Sequence, residues 1–198
     1  VTVVFHSVNR RVRTTARVHQ GLITYVVFGP QAIGTVNGLP VRPGLMLAAE
    51  PETEARFVSE AGWETIAVLM PPEDVRAHLE ARGRGHQFRP PRGIETLQAE
   101  PDGARRLFDW GKRLTTTAAR QPFIFNDRPR ERAAAQVELL ETLLPVLGVA
   151  EQLEPTRSDR TRRAHSDTVA MAEAHAMSHV DDDLSVTDLC RATGVSER

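Results

Sequence analysis

The chain has 198 residues, 40% hydrophobic and 26% charged, with a formal net charge of −1. This composition supports a folded core and excludes a disordered chain, and so small a charge excludes a whole-molecule basic field, so any contact with nucleic acid must come from a local patch. Cys190 is the only cysteine, which excludes an internal disulfide and a thiolate metal cluster, and no apolar run approaches the roughly 20 residues of a membrane-spanning helix.

The opening Val1-Thr2-Val3-Val4-Phe5 is apolar but short, with no basic leader, cleavage site or initiator methionine. The expectation is a piece of a longer, cytoplasmic protein. Residues 1 to about 70 read as strands. Val1–Phe5, Arg11–Val18, Leu22–Phe28, Gly44–Ala49, Ala55–Ser59 and Glu64–Met70 are short β-favouring runs spaced as in a small sandwich or barrel. Turn residues separate them, and Asn37-Gly38 is the strongest hairpin signal because both residues tolerate positive φ.

Pro71-Pro72-Glu73-Asp74 predicts a helix start, with proline and acids in its first turn and an end near Ala81. Arg82–Gly93, "RGRGHQFRPPRG", predicts a solvated mobile loop; an anion grip is the alternative use of its arginines. Helices follow over Asp102 to about Ala118 and over Pro129–Leu147, interrupted by "QPFIFND". In the second, Ala133, Val137, Leu140, Leu144 and Leu147 form a coiled-coil-like seam, and Leu139, Leu143 and Val146 form a second apolar strip. One strip is expected to pack on the strands. The seam of Val137, Leu140, Leu144 and Leu147 is the candidate dimer helix, with burial of both strips inside one chain as the alternative. Pro145 lacks an N–H and predicts a kinked or frayed last turn. A polar stretch containing Pro155 reads as a linker, and Arg160–Val180 as a further helix that begins basic, with Val169, Ala172, Ala176 and Val180 on one face.

The last stretch is "DLSVTDLCRATGVSER". Ser185 is placed to cap a helix and Asp188 to answer it from the N3 position, with Asp181, Asp182 and Asp183 just upstream. Val186, Leu189 and Cys190 form the expected inward face. In a helix-turn-helix the steep crossing needs a small residue, the turn needs one that tolerates positive φ, and an apolar residue pins the turn. Cys190, Gly194 and Val195 meet those needs in order, and Ser196 would cap a second helix. A plain helical hairpin uses the same glycine turn, so spacing alone leaves both open.

Leu184-Ser185, Leu189-Cys190 and Gly194-Val195-Ser196 resemble the start of the DNA-binding domain in the AraC/XylS family of bacterial transcription regulators. Cys190 departs from the family's usual alanine. The resemblance is specific over residues 160–198 and looser over about 20–80. It implies an α+β chain: a cupin-like β-barrel or sandwich, antiparallel helices, then a truncated all-α helix-turn-helix segment. Residues 1–148 would form the effector-binding and dimerisation domain (strands about 1–70, helices about 72–147), residues 149–158 a linker, and residues 159–198 the first part of the DNA reader. It further implies a homodimer that binds a small-molecule effector and promoter DNA, with RNA polymerase as a further partner and no membrane role. Arg191, Ser196 and Arg198 are the expected DNA contacts, and Phe5, Tyr25, Phe28 and Trp63 the expected effector-pocket wall. The recognition helices would lie beyond Arg198, so the piece is expected not to read DNA sequence.

An enzyme is the rival class, since cupins often hold a metal through converging histidines and a carboxylate. His6 and His19 are far apart and lack that pattern, and Glu50, Glu52 and Glu54 fit an exposed strand edge better than acid–base catalysis. His175 and His179 share a helical face, but residue 176 is Ala where a metalloprotease places its glutamate. No phosphate loop, dinucleotide fingerprint or GxSxG elbow is present. No catalytic residue, metal or cofactor is therefore expected. A non-DNA interaction module built on the 133–147 helix is a third reading.

Overall fold

The computed structural model describes residues 1–154, 156–180 and 183–197, with Gln87 by its backbone alone. Among the described residues there are ten strands and six α-helices, and the chain divides into two compact units: Val1–Thr35 with Pro40–Glu154, and Val36–Leu39 with Pro155–Arg198. In the first unit one sheet joins β1 (Thr2–Val8), β8 (Trp63–Met70), β3 (Ile23–Phe28), β6 (Leu45–Ala49), β9 (Ile94–Gln98) and β10 (Glu151–Gln152), in that order. The second sheet joins β2 (Val12–Arg17), β7 (Glu54–Ser59), β4 (Gly34–Val36) and β5 (Leu39–Pro40). Their registered neighbours run antiparallel, as hairpin-rich chains favour. The strands do not close into a barrel. They stay as two sheets, which corrects the barrel form of the expected architecture and leaves a mixed fold of antiparallel sheets and helices.

Asn37 (φ 47°) and Gly38 (φ 79°) turn β4 back into β5, with both central residues in the left-handed region that a two-residue hairpin demands. Pairing register then sorts side chains by face. Phe28 lies opposite Thr65, two residues from Trp63, so these three share one face of the larger sheet. Tyr25 lies opposite Val68 and Phe5 opposite Ile66, on the other face. The two sheets meet at Trp63, whose ring stands edge-on to Phe28 at 5.3 Å and to Phe57 at 6.3 Å.

Helices cover the Tyr25 face. They are α1 (Pro72–Glu80), α2 (Pro101–Arg120), the four-residue α3 (Phe123–Asn126) and α4 (Pro129–Val149). The Glu100 carboxylate caps α2 by accepting from the N–H groups of Asp102 (3.0 Å) and Gly103 (2.7 Å), and Pro101 follows where its missing N–H is harmless. Ala104, Leu107, Phe108 and Gly111 repeat at helical spacing and bury α2 against the sheet. Gly111 lies so near Ile66 that a Cβ there would stand 2.7 Å from its side chain, so the close approach needs glycine.

On α4, Leu139, Leu140, Leu143 and Val146 are all buried in the first unit's core. Each contributes about 1.5–3 kcal/mol of burial. The helix continues through Pro145 to Val149, so its last turn does not fray. Pro145 does remove one N–H from the ladder, but Val146 and Leu147 pack on the core and hold the last turn in place. The loop from Arg82 to Gly93 is mostly exposed, its four arginines and His86 included, but a short 3-10 turn over Gly85–Gln87 leads into half-buried Phe88 and buried Pro91, which anchor it.

The second unit contains α5 (Arg157–Ser178) and α6 (Val186–Thr193). α5 starts three residues earlier than expected because Thr156 and Asp159 form a reciprocal capping box. No helix among the described residues is long and apolar enough to cross a membrane.

Candidate DNA-reading turn and a cleft in the first unit

Ser185 Oγ accepts from the N–H of Asp188 at 3.2 Å, and the Asp188 carboxylate accepts from the N–H of Ser185 at 3.1 Å and from its hydroxyl at 2.6 Å. These bonds hold the Asp188 carboxyl below its ordinary value of 3.8, with the Ser185 hydroxyl as the largest cause. α6 therefore begins on a closed capping box. It ends at Gly194, whose φ of 69° is left-handed, and the N–H of Val195 returns to the Cys190 carbonyl at 3.1 Å. The chain then reverses, and the Thr187 hydroxyl donates to the Glu197 carboxylate.

Cys190 and Leu189 are half-buried, whereas Val186 and Val195 are 69% and 47% exposed. Val186 thus does not join the expected inward face, and Val195 is not pinned by the described residues. Of the expected DNA contacts, Arg191 and Ser196 are exposed. Arg191 pairs loosely with Asp188 at 3.3 Å. Arg198 lies outside the described residues, as do Asp181 and Asp182.

The four expected effector-wall residues do not converge. Phe28 and Trp63 face the smaller sheet, whereas Phe5 and Tyr25 face the helices. Phe5 lies under the Lys112 ammonium at 5.3 Å from its ring centre, and Lys112 is held by both oxygens of Glu64 at 2.7 Å. Tyr25 alone of the four lines a cleft of about 260 Å³ between the larger sheet, α1, the end of α4 and the 82–93 loop. Burial, then the Glu95 charge, pushes its phenol up to about 12, so it is a neutral donor throughout the physiological range. Glu95 was not singled out in the sequence because it belongs to β9, which follows a Gly/Pro/Arg loop and carries only a weak alternation.

The expected dimer seam changes most. Leu140 is 2% exposed, inside the chain's own core, and Leu144 and Leu147 line the cleft. Val137, at 46%, and Ala133 face outward. The α4 spacing allowed two apolar strips, and both are spent mainly within the chain. On α5, the rings of His175 and His179 stack 4.2 Å apart, and no metal-sized cluster of His, Cys, Asp and Glu forms among the described residues.

No family model matches the chain, and no curated protein does. Distant likenesses appear among solved structures. The AraC-like transcriptional activator CuxR is 13% identical with a TM-score of 0.38, covering 89% of this chain and 58% of CuxR. Wild-type ToxT from Vibrio cholerae with a bound unsaturated fatty acid is 9% identical with a TM-score of 0.38, covering 100% of this chain and 75% of ToxT. A second ToxT structure is 8% identical with a TM-score of 0.36, covering 99% and 71%. The chain thus spans less than two thirds of CuxR's length, and likenesses this remote assign no residue a role.

Proposed function

We propose that the chain is the sensor and the opening of the DNA reader of a one-component transcription regulator of the AraC/XylS type. The observation that carries this is the closed capping box of α6 followed by a left-handed Gly194 and an exposed Ser196. That succession is what a helix-turn-helix needs before its recognition helix. The motif resemblance at Leu184-Ser185, Leu189-Cys190 and Gly194-Val195-Ser196 supports the same role.

In this mechanism the first unit, a relative of the cupin sandwiches, binds a small effector that favours one packing of its helices over another. The change passes along the chain through residues 150–156 into the reader. Two such chains act as a cytoplasmic homodimer on promoter DNA and present it to RNA polymerase. Arg191 positions the reader on phosphate, and Ser196 starts the recognition helix. Since Leu140 is buried, Ala133 and Val137 are the seam residues left to contribute to pairing. The chemistry is recognition, and no residue here is assigned to catalysis.

Gly194 gives the test. A valine there must adopt a left-handed conformation that costs about 1–2 kcal/mol. In a protein extended through the downstream reading frame, Gly194→Val is expected to abolish retention of DNA selected by the parent, with the first unit's unfolding unchanged. Undiminished retention would refute the proposed turn.

A further inference from the structure

We propose that the cleft between the larger sheet and the ends of α1 and α4 binds a small, neutral, mostly apolar molecule through one hydroxyl or amide head, held between Tyr25 and Glu95. As an effector site it rests on the regulator proposed above; as a binding site it stands on geometry.

Tyr25 lies opposite Ala48, and Ala48 opposite Glu95, so the three form one row across β3, β6 and β9. Adjacent strands are about 4.8 Å apart, which puts the Tyr25 and Glu95 backbones about 10 Å apart with only a methyl group between them. The small residue makes a floor and the two long ones make opposed poles. Apolar walls come from Leu79, Phe88, Leu97, Leu144 and Leu147. The volume of about 260 Å³ suits a body of one ring.

The poles select the head. Tyr25 is 4% exposed as a residue, and its hydroxyl, which makes no hydrogen bond among the described residues, is the part open to the cleft, where a ligand acceptor can take its proton in place of water. The Glu95 side chain is 13% exposed. Its Oε1 accepts from Arg89 Nη2 at 3.0 Å and from the N–H of Arg92 at 3.1 Å, while Oε2 has no such bond among the described residues. Arg89 already balances that carboxylate from the rim, with 65% of its side chain exposed. Arg84 lines the cleft too, on the exposed loop, but a ligand carboxylate placed between the poles would face Glu95 at close range. A head that donates to Glu95 and accepts from Tyr25 completes both groups. Leu144, Leu147 and Gln152 line the cleft on the segment that ends the first unit at Glu154, so occupancy acts where Pro145 has already removed one helix hydrogen bond.

Four probes with one ring and different heads decide it: benzamide, benzyl alcohol, benzoate and toluene, titrated into the 198-residue chain by ligand-observed NMR. Benzamide and benzyl alcohol are expected to bind more tightly than the other two. Tyr25→Phe should weaken both by about three- to tenfold and leave toluene unchanged. Ala48→Leu should remove all binding; if it fails to fold by circular dichroism, the Tyr25→Phe comparison decides alone. Benzoate binding as tightly as benzamide, equal affinity in Tyr25→Phe, or no binding by any probe would overturn the proposal. DNA recognition by the extended protein is measured separately, so loss of the site leaves the regulator standing.

Discussion

Thr24 and Tyr25 are neighbours on β3 and face opposite ways, each with a hydroxyl that lacks a protein partner among the described residues, but only that of Thr24 is buried. Tyr25 opens on a cleft. Thr24 does not: its Oγ1 is fully buried. An unmade buried hydrogen bond costs about 1–3 kcal/mol, and valine has nearly the same shape without the hydroxyl. Thr24→Val is therefore expected to raise unfolding stability by about 1 kcal/mol in chemical denaturation, and a lowered midpoint would show that the hydroxyl is satisfied. Glu100 and Asp188 carry the pH dependence. Backbone N–H groups of Asp102 and Gly103 lower Glu100 from 4.5, and Ser185 lowers Asp188 from 3.8. Both contributions are complete above those ordinary values and are lost as pH falls through the lowered folded ones. The stability gap between the parent and Glu100→Gln or Asp188→Asn should accordingly be constant above the ordinary carboxylate values and narrow as pH falls below them, measured by denaturation at each pH.

At the level of elements, α4 separates core from surface. Leu143 is fully buried and Val137 is 46% exposed. Leu143→Ala should cost about 2–5 kcal/mol and Val137→Ala less than about 0.5. If Val137→Ala also lowers the oligomer mass in light scattering, that residue lies in the pairing face. Strands β1–β3 and β6–β8, the Asn37-Gly38 turn and the α6 cap were legible in the sequence, because alternation, turn chemistry and capping are local. The three- and two-residue strands β4 and β5, too short to show alternation, were not, and neither were β9 and β10. Ile94-Glu95-Thr96-Leu97-Gln98 lacks a strong strand signature, and Glu151-Gln152 is a two-residue strand that exists only through its pairing to Gln98 and Leu97. The Thr156–Asp159 cap was equally readable but lay in a stretch whose proline suggested a linker. The cleft was illegible for a different reason: Tyr25, Ala48 and Glu95 meet only through register between distant strands. The division of α4's two strips was likewise a tertiary outcome, since spacing could not say which strip met the chain itself.

For the molecule as a whole, the proposed regulator predicts how the chain meets DNA. Phosphate contacts alone give affinity that is indifferent to sequence, and groove-reading side chains add the discrimination. Arg157, Arg160, Arg162, Arg163 and Arg191 supply basic groups to the second unit, while the proposed recognition helix starts only at Ser196. The most direct measurement is fluorescence anisotropy at about 150 mM salt, comparing a selected site with scrambled DNA. The 198-residue chain should bind both equally weakly, and the protein extended through its downstream sequence should prefer its site by about 10³-fold or more. Full discrimination by the 198-residue chain, or none by the extended protein, would contradict a DNA reader that begins at α5 and reads from Ser196 onward.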